Sequence, residues 1–226
     1  MELDNRLKTI YEMMDAGCVP MDVGTDHCKL PLYALQRGKI SRAYAGDVRE
    51  GPLAAARRSV ERYGMEDRVV LLLSDGLSAL TDDDRRAVDT VVMAGMGGLL
   101  IRDLIENAPF VKTEKKTLLL QPMTAVYELK DYLRGAGFVT EKERIACEGD
   151  KLYIIIRAVF TGTVGTDDDP FRHLTEDPLF ARYLAAQKRR FQIQKNGLLS
   201  ADERDGARLA DVEKRLKQIE RYGDRI

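Results

Sequence analysis

The sequence predicts an α/β fold in which a mostly parallel sheet ends in an antiparallel strand pair and is followed by a helical hairpin. Strand-like apolar segments alternate with helical ones between residues 18 and 137, which indicates strands joined by crossover helices. Two consecutive strand patterns, 138–147 and 151–160, are separated only by "EGD", so they must run antiparallel. Beyond a linker-like stretch at 161–170, apolar side chains again follow a helical period.

Each element of the predicted sheet domain has its own local signal. Apolar side chains at helical spacing in residues 3–14 predict an opening helix that ends by Gly17. Strand patterns cover residues 18–23, 42–48, 68–76, 88–98 and 116–122, and the fourth of them runs into a glycine turn. Helical patterns cover residues 30–38, 52–64, 99–108 and 125–137. In the second helix, Pro52 lies in the first turn and Gly64 follows the last, as helix termini favour.

Short apolar strands that alternate with helices imply a parallel sheet covered on both faces. Five such strands followed by an antiparallel pair give the layout of a class I methyltransferase (Rossmann-like) fold with a seven-stranded sheet. A plain dinucleotide-binding fold would normally stay parallel throughout. We therefore expect residues 1–162 to form a domain of this α/β class.

Residues 163–226 are predicted to form a separate, coiled-coil-like helical hairpin. Its first helix is expected at about 178–196, where Asn196-Gly197 favours a helix end, and its second at about 201–222. The second helix carries an apolar seam with steps of three, four and three, formed by Leu209, Val212, Leu216 and Ile219.

Charge is distributed unevenly between these two regions. The 226 residues, 44% of them apolar, carry a net charge of −1, which by itself names no partner. From Arg182 onward, however, 12 Lys/Arg face seven Asp/Glu, whereas the preceding part has 24 basic and 30 acidic residues. A basic tail on an acidic body fits contact with a polyanion, and it equally fits a solvated helical face.

The composition argues against several kinds of site. Three cysteines without a CxxC pair speak against a disulfide framework or a zinc site, and only two histidines are present. No apolar run is long enough to span a membrane, and the N-terminus lacks the apolar region of a signal peptide. We expect a monomeric cytoplasmic protein with no bound metal and no membrane partner.

Acidic residues and glycines follow the first four predicted strands. In an open α/β sheet these positions converge on one crevice beyond the carboxyl ends of the strands. The segments are Asp22-Val23-Gly24-Thr25-Asp26-His27, Gly46-Asp47-Val48, Ser74-Asp75-Gly76 and Ala94-Gly95-Met96-Gly97-Gly98, and Gln121-Pro122 ends the fifth strand. Asp47 stands where a carboxylate would accept hydrogen bonds from both hydroxyls of a ribose. Asp75 stands where an adenine amino group could be met.

The charge of these segments distinguishes two nucleotide cofactors. NAD requires a G-x-G-x-x-G turn whose helix N-terminus holds the pyrophosphate. The first strand is followed by a single glycine, Gly24, and by Asp26, which would repel a pyrophosphate. S-adenosylmethionine instead carries a sulfonium and an ammonium group, which carboxylates attract. The sequence therefore favours S-adenosylmethionine.

Two segments keep alternative interpretations. "AGMGG" is either a tight turn or an open surface on which a flat base could lie against the backbone, and it lacks the Asn/Asp-Pro-Pro-aromatic sequence of amino methyltransferases. Asp26-His27 is either an acid–base pair or a pair in which Asp26 caps the following helix.

With these motifs the sequence resembles the bacterial tRNA (adenine-22-N1)-methyltransferases. The matching pieces are "DNRLKTI", "DVGTDHCKLP", "AGDVREGPLAAA", "SDGL", "AGMGG-LI", "LLLQP" and "EGDKLYIII", in the family's order over residues 3 to about 160. One departure is Asp47, where we expect the family to have Glu, so the reach of the carboxylate is shorter.

The resemblance implies methyl transfer from S-adenosylmethionine to N1 of an adenine in tRNA, with the helical tail gripping the RNA. The implied cofactor-binding residues are Asp22, Gly24, Thr25, Asp26, Asp47, Val48, Asp75, Gly76, Ala94 and Gly95. The residues implied to face the methyl group and the acceptor base are Asp26, His27, Gly95, Met96 and Gly97. Two rival interpretations stay open: a methyltransferase acting on a protein or small molecule, and a non-catalytic nucleotide-binding module that dimerises through the seam.

Overall fold

The computed structural model describes residues 1–113, 116–166, 169–201 and 205–223. The chain divides into two compact units, Met1–Asp167 and Asp168–Ile226. The first unit contains a mixed sheet with helices, and the second contains two long helices. In the part of the chain that the structure describes, none of the helices combines the length and apolarity needed to cross a membrane.

The first unit is built on a seven-stranded sheet. Its strands are β1 Pro20–Val23, β2 Ala43–Asp47, β3 Val69–Leu73, β4 Thr90–Gly97, β5 Thr117–Thr124, β6 Phe138–Glu148 and β7 Lys151–Phe160. Their order across the sheet is β3-β2-β1-β4-β5-β7-β6. Strands β1 to β5 pair in parallel, whereas β7 pairs antiparallel with both β5 and β6. The predicted fold class is therefore confirmed.

Eight α-helices are described. They are α1 Asn5–Met13, α2 Lys29–Gln36, α3 Glu50–Arg62, α4 Asp82–Ala87, α5 Gly98–Glu106, α6 Val126–Gly135, α7 Phe180–Leu199 and α8 Gly206–Glu220. Short 3₁₀ turns lie at Pro109–Val111 and Arg172–Leu174. Helices α1 to α6 belong to the first unit, where they connect or flank the strands.

Burial explains why the central strands are mostly apolar, with one acid each, Asp22 in β1 and Asp47 in β2. All four residues of β1 and all five of β2 are buried, as expected for parallel strands covered on both faces. One core cluster joins buried side chains of α1, α2 and α3 to the sheet, among them Ile10, Leu32, Ala56 and Val92. This rigid centre holds the strand ends in fixed positions, and those ends carry the candidate site.

Two differences from the sequence-based prediction lie in the first unit. Helix α4 was not predicted, because its six residues "DDDRRA" have no buried side chain. It begins with a capping box, in which Thr81 Oγ1 accepts from the backbone N–H of Asp84 and Asp84 accepts from the backbone N–H of Thr81. Strand β4 also does not stop at a glycine turn but pairs with β5 as far as Gly97, with register shifts around Met96.

The second unit is an antiparallel pair of helices with its own core. Tyr222, just beyond α8, packs edge-on against Phe180 at the start of α7, with ring centroids 5.4 Å apart. In the predicted seam, Val212 and Ile219 are buried, and Leu209 and Leu216 are half-buried.

The predicted end of the first tail helix was wrong. Helix α7 continues through Asn196-Gly197 to Leu199. A Cβ added at Gly197 would meet nothing within 4 Å, so this glycine interrupts neither the helix nor its packing. The predicted start of the second helix, at about 201, also differs, because α8 begins at Gly206; residues 202–204 lie outside the described part.

Candidate active site

A cleft opens at the carboxyl ends of β1 to β4. Its volume is about 320 Å³, within the range of small-molecule sites. It is lined by Val23, Gly24, Asp47, Val48, Arg49, Ser74, Asp75, Gly76, Ala94, Gly95, Met96, Leu100 and Leu104. Four consecutive strand ends and helix α5 thus contribute to one cavity, at the edge where ligands bind in open α/β sheets.

The turn after β1 depends on Gly24. Its φ is +73°, a backbone conformation that glycine adopts without strain, and a Cβ there would lie 2.5 Å from Met96 Cε, so another residue would strain the turn and displace the end of the Met96 side chain. The backbone N–H groups of Gly24 and Thr25 both donate to the carbonyl of Gly46, at 2.8 and 2.9 Å. The turn is thereby fixed to the neighbouring strand β2.

Asp22 lies directly beneath this turn. It is 9% exposed, and its Oδ2 accepts a hydrogen bond of 2.6 Å from Thr25 Oγ1. Burial raises the pKa of Asp22 to about 6, and the Thr25 hydrogen bond and the positive charge of Arg6 act in the opposite direction. The carboxyl group is therefore ionised at neutral pH and protonated under mildly acidic conditions.

Asp47 brings a second carboxylate to the cleft, at the end of β2. The side chain is 7% exposed, and its Oδ1 accepts from the backbone N–H of Arg49 at 2.9 Å. This bond fixes the rotamer of the carboxylate. The next side chain, Val48, is 62% exposed and also lines the cleft, so an acid and an apolar surface stand side by side.

The turn after β3 presents Asp75. Ser74 is buried; its Oγ donates to the carbonyl of Gly76 at 3.0 Å and accepts from Ala79 N–H at 3.2 Å. Gly76 has a φ of +60°, and a Cβ there would lie 2.5 Å from Leu104 Cδ2. These constraints hold the exposed Asp75 at the cleft.

The glycine segment of β4 is braced from two other elements. The fully buried Gln121 of β5 accepts, through Oε1, from the backbone N–H of Gly95 and from Arg6 Nη1, each at 3.0 Å. Gly98 marks the start of α5, where a Cβ would overlap the backbone carbonyl oxygens of Thr124 and Ala125. The sequence placed Gln121 at a strand end but not in the site, and it indicated no role for Arg6.

Asp26 and His27 meet outside the cleft lining. His27 Nε2 lies 3.3 Å from Asp26 Oδ1, with 49% and 74% of the two side chains exposed. His27 and Cys28 have φ values of 56° and 55°, a left-handed conformation that non-glycine residues rarely adopt. The helix-cap alternative for Asp26 was wrong, because the residue at the N-cap of α2 is Cys28.

The cleft brings together most of the residues predicted from the sequence. Those that line it are Gly24, Asp47, Val48, Asp75, Gly76, Ala94, Gly95 and Met96. Those predicted residues that are not among its lining residues in the described part of the chain are Asp22, Thr25, Asp26, His27 and Gly97. Two other lining residues, Val23 and Ser74, lie in the predicted strand-end segments but had no predicted role. The lining residues that were not predicted at all are Arg49, Leu100 and Leu104.

The cleft combines two acids and one base, Arg49, with apolar walls, which suits an organic ligand that carries polar groups. Asp47 and Asp75 offer acceptors for hydroxyl, amino or ammonium groups, and Val48, Met96 and Leu100 offer apolar contact. Within residues 1–113, 116–166, 169–201 and 205–223, no group of three or more His, Cys, Asp or Glu side chains is arranged to hold a metal ion.

Comparison with known proteins identifies relatives with the same architecture. The model of the family described as "Methyltransferase domain" matches residues 3–156. The tRNA (adenine(22)-N(1))-methyltransferase of Bacillus subtilis is 33% identical over 158 residues, which are 70% of this chain and 65% of that protein. The chain therefore aligns with just under two thirds of the length of this curated relative.

Solved structures extend the similarity to nearly the whole chain. The crystal structure of the B. subtilis m1A22 tRNA methyltransferase has a TM-score of 0.82 at 26% identity, covering 97% of this chain and 98% of that one. A Streptococcus pneumoniae protein crystallised with S-adenosyl-L-methionine has a TM-score of 0.82 at 25% identity, with 97% and 99% covered. The resemblance seen in the sequence motifs is thus confirmed.

Proposed function

We propose a function from one established premise, that this chain belongs to the methyltransferase-domain family. The protein transfers a methyl group from S-adenosylmethionine to N1 of an adenine in tRNA, at position 22. The observation that carries this proposal is the pair of carboxylates, Asp47 and Asp75, in an apolar-walled cleft at the carboxyl edge of the sheet. The B. subtilis relative, which is named a tRNA (adenine(22)-N(1))-methyltransferase, supports the choice of substrate.

The residues of the cleft fit S-adenosylmethionine. Asp47 is set to accept hydrogen bonds from the ribose hydroxyls, since one oxygen is occupied by Arg49 N–H and the carboxylate still faces the cleft. Asp75 and Gly76 would border the adenine, and Val48 would cover it. Gly24 lets the ligand approach the backbone, with Thr25 holding Asp22 behind it.

When bound, the cofactor supplies an electrophilic methyl group next to a positive sulfur. The task of the protein is to align the acceptor nitrogen, because adenine N1 has an in-plane lone pair and no proton to lose. The Ala94 to Gly97 segment would provide the surface for the base. Asp26 would stabilise the positive charge that appears on the methylated base, and His27 would orient Asp26 through their 3.3 Å contact.

The second unit is proposed to bind the RNA, so that 1–162 is the methyltransferase domain and 163–226 the tRNA-binding hairpin. Exposed basic residues stand on both helices, including Arg189 and Arg190 on α7, Lys214 and Lys217 on α8, and Arg221 at the C-cap of α8. The last three are three and four positions apart, so they share one face. Such a face attracts phosphates without regard to sequence.

The remaining proposals concern the state of the target base, the oligomeric state and location of the protein, and the absence of a metal from the reaction. N1 lies on the Watson–Crick edge, so the target base must be unpaired or turned out of its stack. We propose that a monomer suffices, acting in the cytoplasm where tRNA is found, and that no metal takes part.

The test is methylation of a tRNA transcript with labelled S-adenosylmethionine, followed by mapping of the modified nucleotide. We expect 1-methyladenosine at position 22, and no label when that adenine is replaced by guanine. Label transferred to protein or to small molecules, with none on tRNA, would refute the proposal in favour of the rival methyltransferase. Full activity of Asp26→Asn would remove Asp26 from the mechanism.

A further inference from the structure

The glycine segment of β4 depends on two side chains outside it. Gln121 Oε1 accepts from both Gly95 N–H and Arg6 Nη1, each at 3.0 Å. Both partners can only donate, which fixes the orientation of the Gln121 amide. Its Nε2 donates to the carbonyl of Pro122 at 3.1 Å. This completely buried side chain thus has a partner for its acceptor and for its donor.

Gly95 is the part of this arrangement that faces the cleft. It is exposed, lines the cleft and has a φ of +76°. A glycine adopts several backbone conformations at little cost, so the residue type alone does not determine the conformation of Gly95. The hydrogen bond to Gln121 determines it, because rotating the Ala94–Gly95 peptide would leave the buried Gln121 Oε1 without this donor.

Arg6 reaches the site from a helix that is itself anchored. The side chain of Asn5 donates to the carbonyl of Cys147 at 2.9 Å, and Arg6 N–H donates to Glu148 Oε1 at 3.1 Å. The start of α1 is therefore bound to the end of β6. From there the Arg6 guanidinium, in a side chain 22% exposed, delivers a charge-assisted hydrogen bond to Gln121.

We propose that Gln121 and Arg6 are positioning residues for the methyl acceptor. Gln121 Oε1 engages the Gly95 N–H and keeps it from donating to the acceptor nitrogen, and Arg6 holds Gln121 in that orientation. This inference rests on the proposed transfer to adenine N1. An N–H bonded to the N1 lone pair would block the electrons that must attack the methyl carbon, so a sequestered N–H favours the reaction.

Amide hydrogen exchange at Gly95, measured by NMR on the protein alone, tests the hydrogen bond directly. In the wild type this exposed residue should exchange slowly. Gln121→Met should accelerate its exchange by about tenfold, and Arg6→Met by a smaller factor, as expected for loss of one hydrogen bond. Gln121→Glu, which keeps an acceptor oxygen, should retain protection. Lys8→Met removes an exposed cation from the same helix and should change nothing.

Kinetics test the role in the reaction. Gln121→Met should lower kcat on tRNA by about tenfold or more, and Arg6→Met should lower it by a smaller factor. The Kd for S-adenosylhomocysteine, the demethylated cofactor, should stay within about twofold of the wild-type value at pH 8, where Asp22 is ionised even without the nearby charge of Arg6. The double variant should be little worse than Gln121→Met, because both act through the same hydrogen-bonded group. Arg6→Met, at a partly exposed position, carries the test where Gln121→Met does not fold.

Several results would overturn the inference. Rapid Gly95 exchange in an active wild-type protein would refute it and leave the proposed function standing. Wild-type kcat in folded Gln121→Met or Arg6→Met would do the same. A wild-type protein that binds S-adenosylhomocysteine but does not methylate tRNA would refute the proposed function and the acceptor role together.

Discussion

Lowering the pH from 7 to 5 should weaken S-adenosylhomocysteine binding by about tenfold, and Asp22→Asn should abolish that dependence. Burial raises the pKa of Asp22 to about 6. The carboxyl group is then about nine-tenths ionised at pH 7 and about one-tenth ionised at pH 5. Asp22 lies behind the Gly24 turn and is not among the residues that line the cleft. We predict that its charge attracts the ammonium group of the ligand across this turn, so that Kd rises as the ionised form is lost.

The raised pKa of Asp22 acts on folding stability in the opposite direction: lowering the pH weakens ligand binding but stabilises the folded protein. A folded-state pKa above the unfolded value of 3.8 means that the folded protein binds the proton more tightly. The contribution of Asp22 to stability is therefore complete below about pH 4 and is lost as the pH rises through about 6. Over this window the loss is on the order of 3 kcal/mol. Asp22→Asn removes the buried charge and should raise Tm at pH 7.5 while weakening ligand binding.

Calorimetric titration with S-adenosylhomocysteine at pH 5, 6 and 7, with melting curves on the same samples, measures both effects. Glu66→Gln, which removes an exposed carboxylate from the loop before β3, is the control and should follow the wild type. A wild-type Kd that changes by less than about twofold over this range would refute the role of the Asp22 charge, and so would full pH dependence in Asp22→Asn.

Three further predictions concern other parts of the chain. Asp47→Asn should weaken S-adenosylhomocysteine binding by about tenfold to one-hundredfold with little change in Tm, because charge-assisted hydrogen bonds to the ribose are removed. Gly98→Ala should destabilise the protein by about 3 kcal/mol in denaturant titration, since the new methyl group overlaps backbone oxygens. Replacing Lys214 and Lys217 by Gln should make tRNA binding less dependent on salt, with the logarithmic slope reduced by about one for each phosphate that is no longer neutralised.

Each of these has a matched control. For Asp47→Asn the control is again Glu66→Gln, which removes an exposed carboxylate that does not line the cleft and should bind S-adenosylhomocysteine like the wild type. Equal affinity of wild type and Asp47→Asn would contradict the ribose assignment. Gly51→Ala adds a methyl group in helix α3 where nothing lies within 4 Å, so it should not destabilise. Arg57→Gln removes an exposed cation from the first unit, and an equal change in slope there would contradict a specific role for α8.

The strand ends of the site could be predicted from the sequence because they follow from local patterns. Apolar runs locate the strands, and parallel pairing brings their carboxyl ends to one edge, which is where Asp47, Asp75 and Gly95 lie. The short helix α4 has no apolar pattern that would predict it, but Thr81-x-x-Asp84 is a capping-box sequence from which its start could have been predicted.

What could not be predicted depends on interactions between distant residues. Arg6 and Gln121 are 115 positions apart, and nothing in the local pattern of either segment indicates that they meet. The Asn196-Gly197 pair shows the converse error. Local propensity predicted a helix end there, but the helix continues to Leu199, because the preference of a residue pair for a helix end is only a weak determinant of where the helix stops.

The anchoring of the first helix has a practical consequence for handling the protein. Asp4 caps that helix by accepting from Leu7 N–H at 2.7 Å, and two residues later the Arg6 guanidinium donates to Gln121. Removing residues 1–5 takes away this cap and should loosen the hydrogen bond between Arg6 and Gln121 in β5. A fusion made ahead of Asp4 should therefore keep residues 4–6 unchanged.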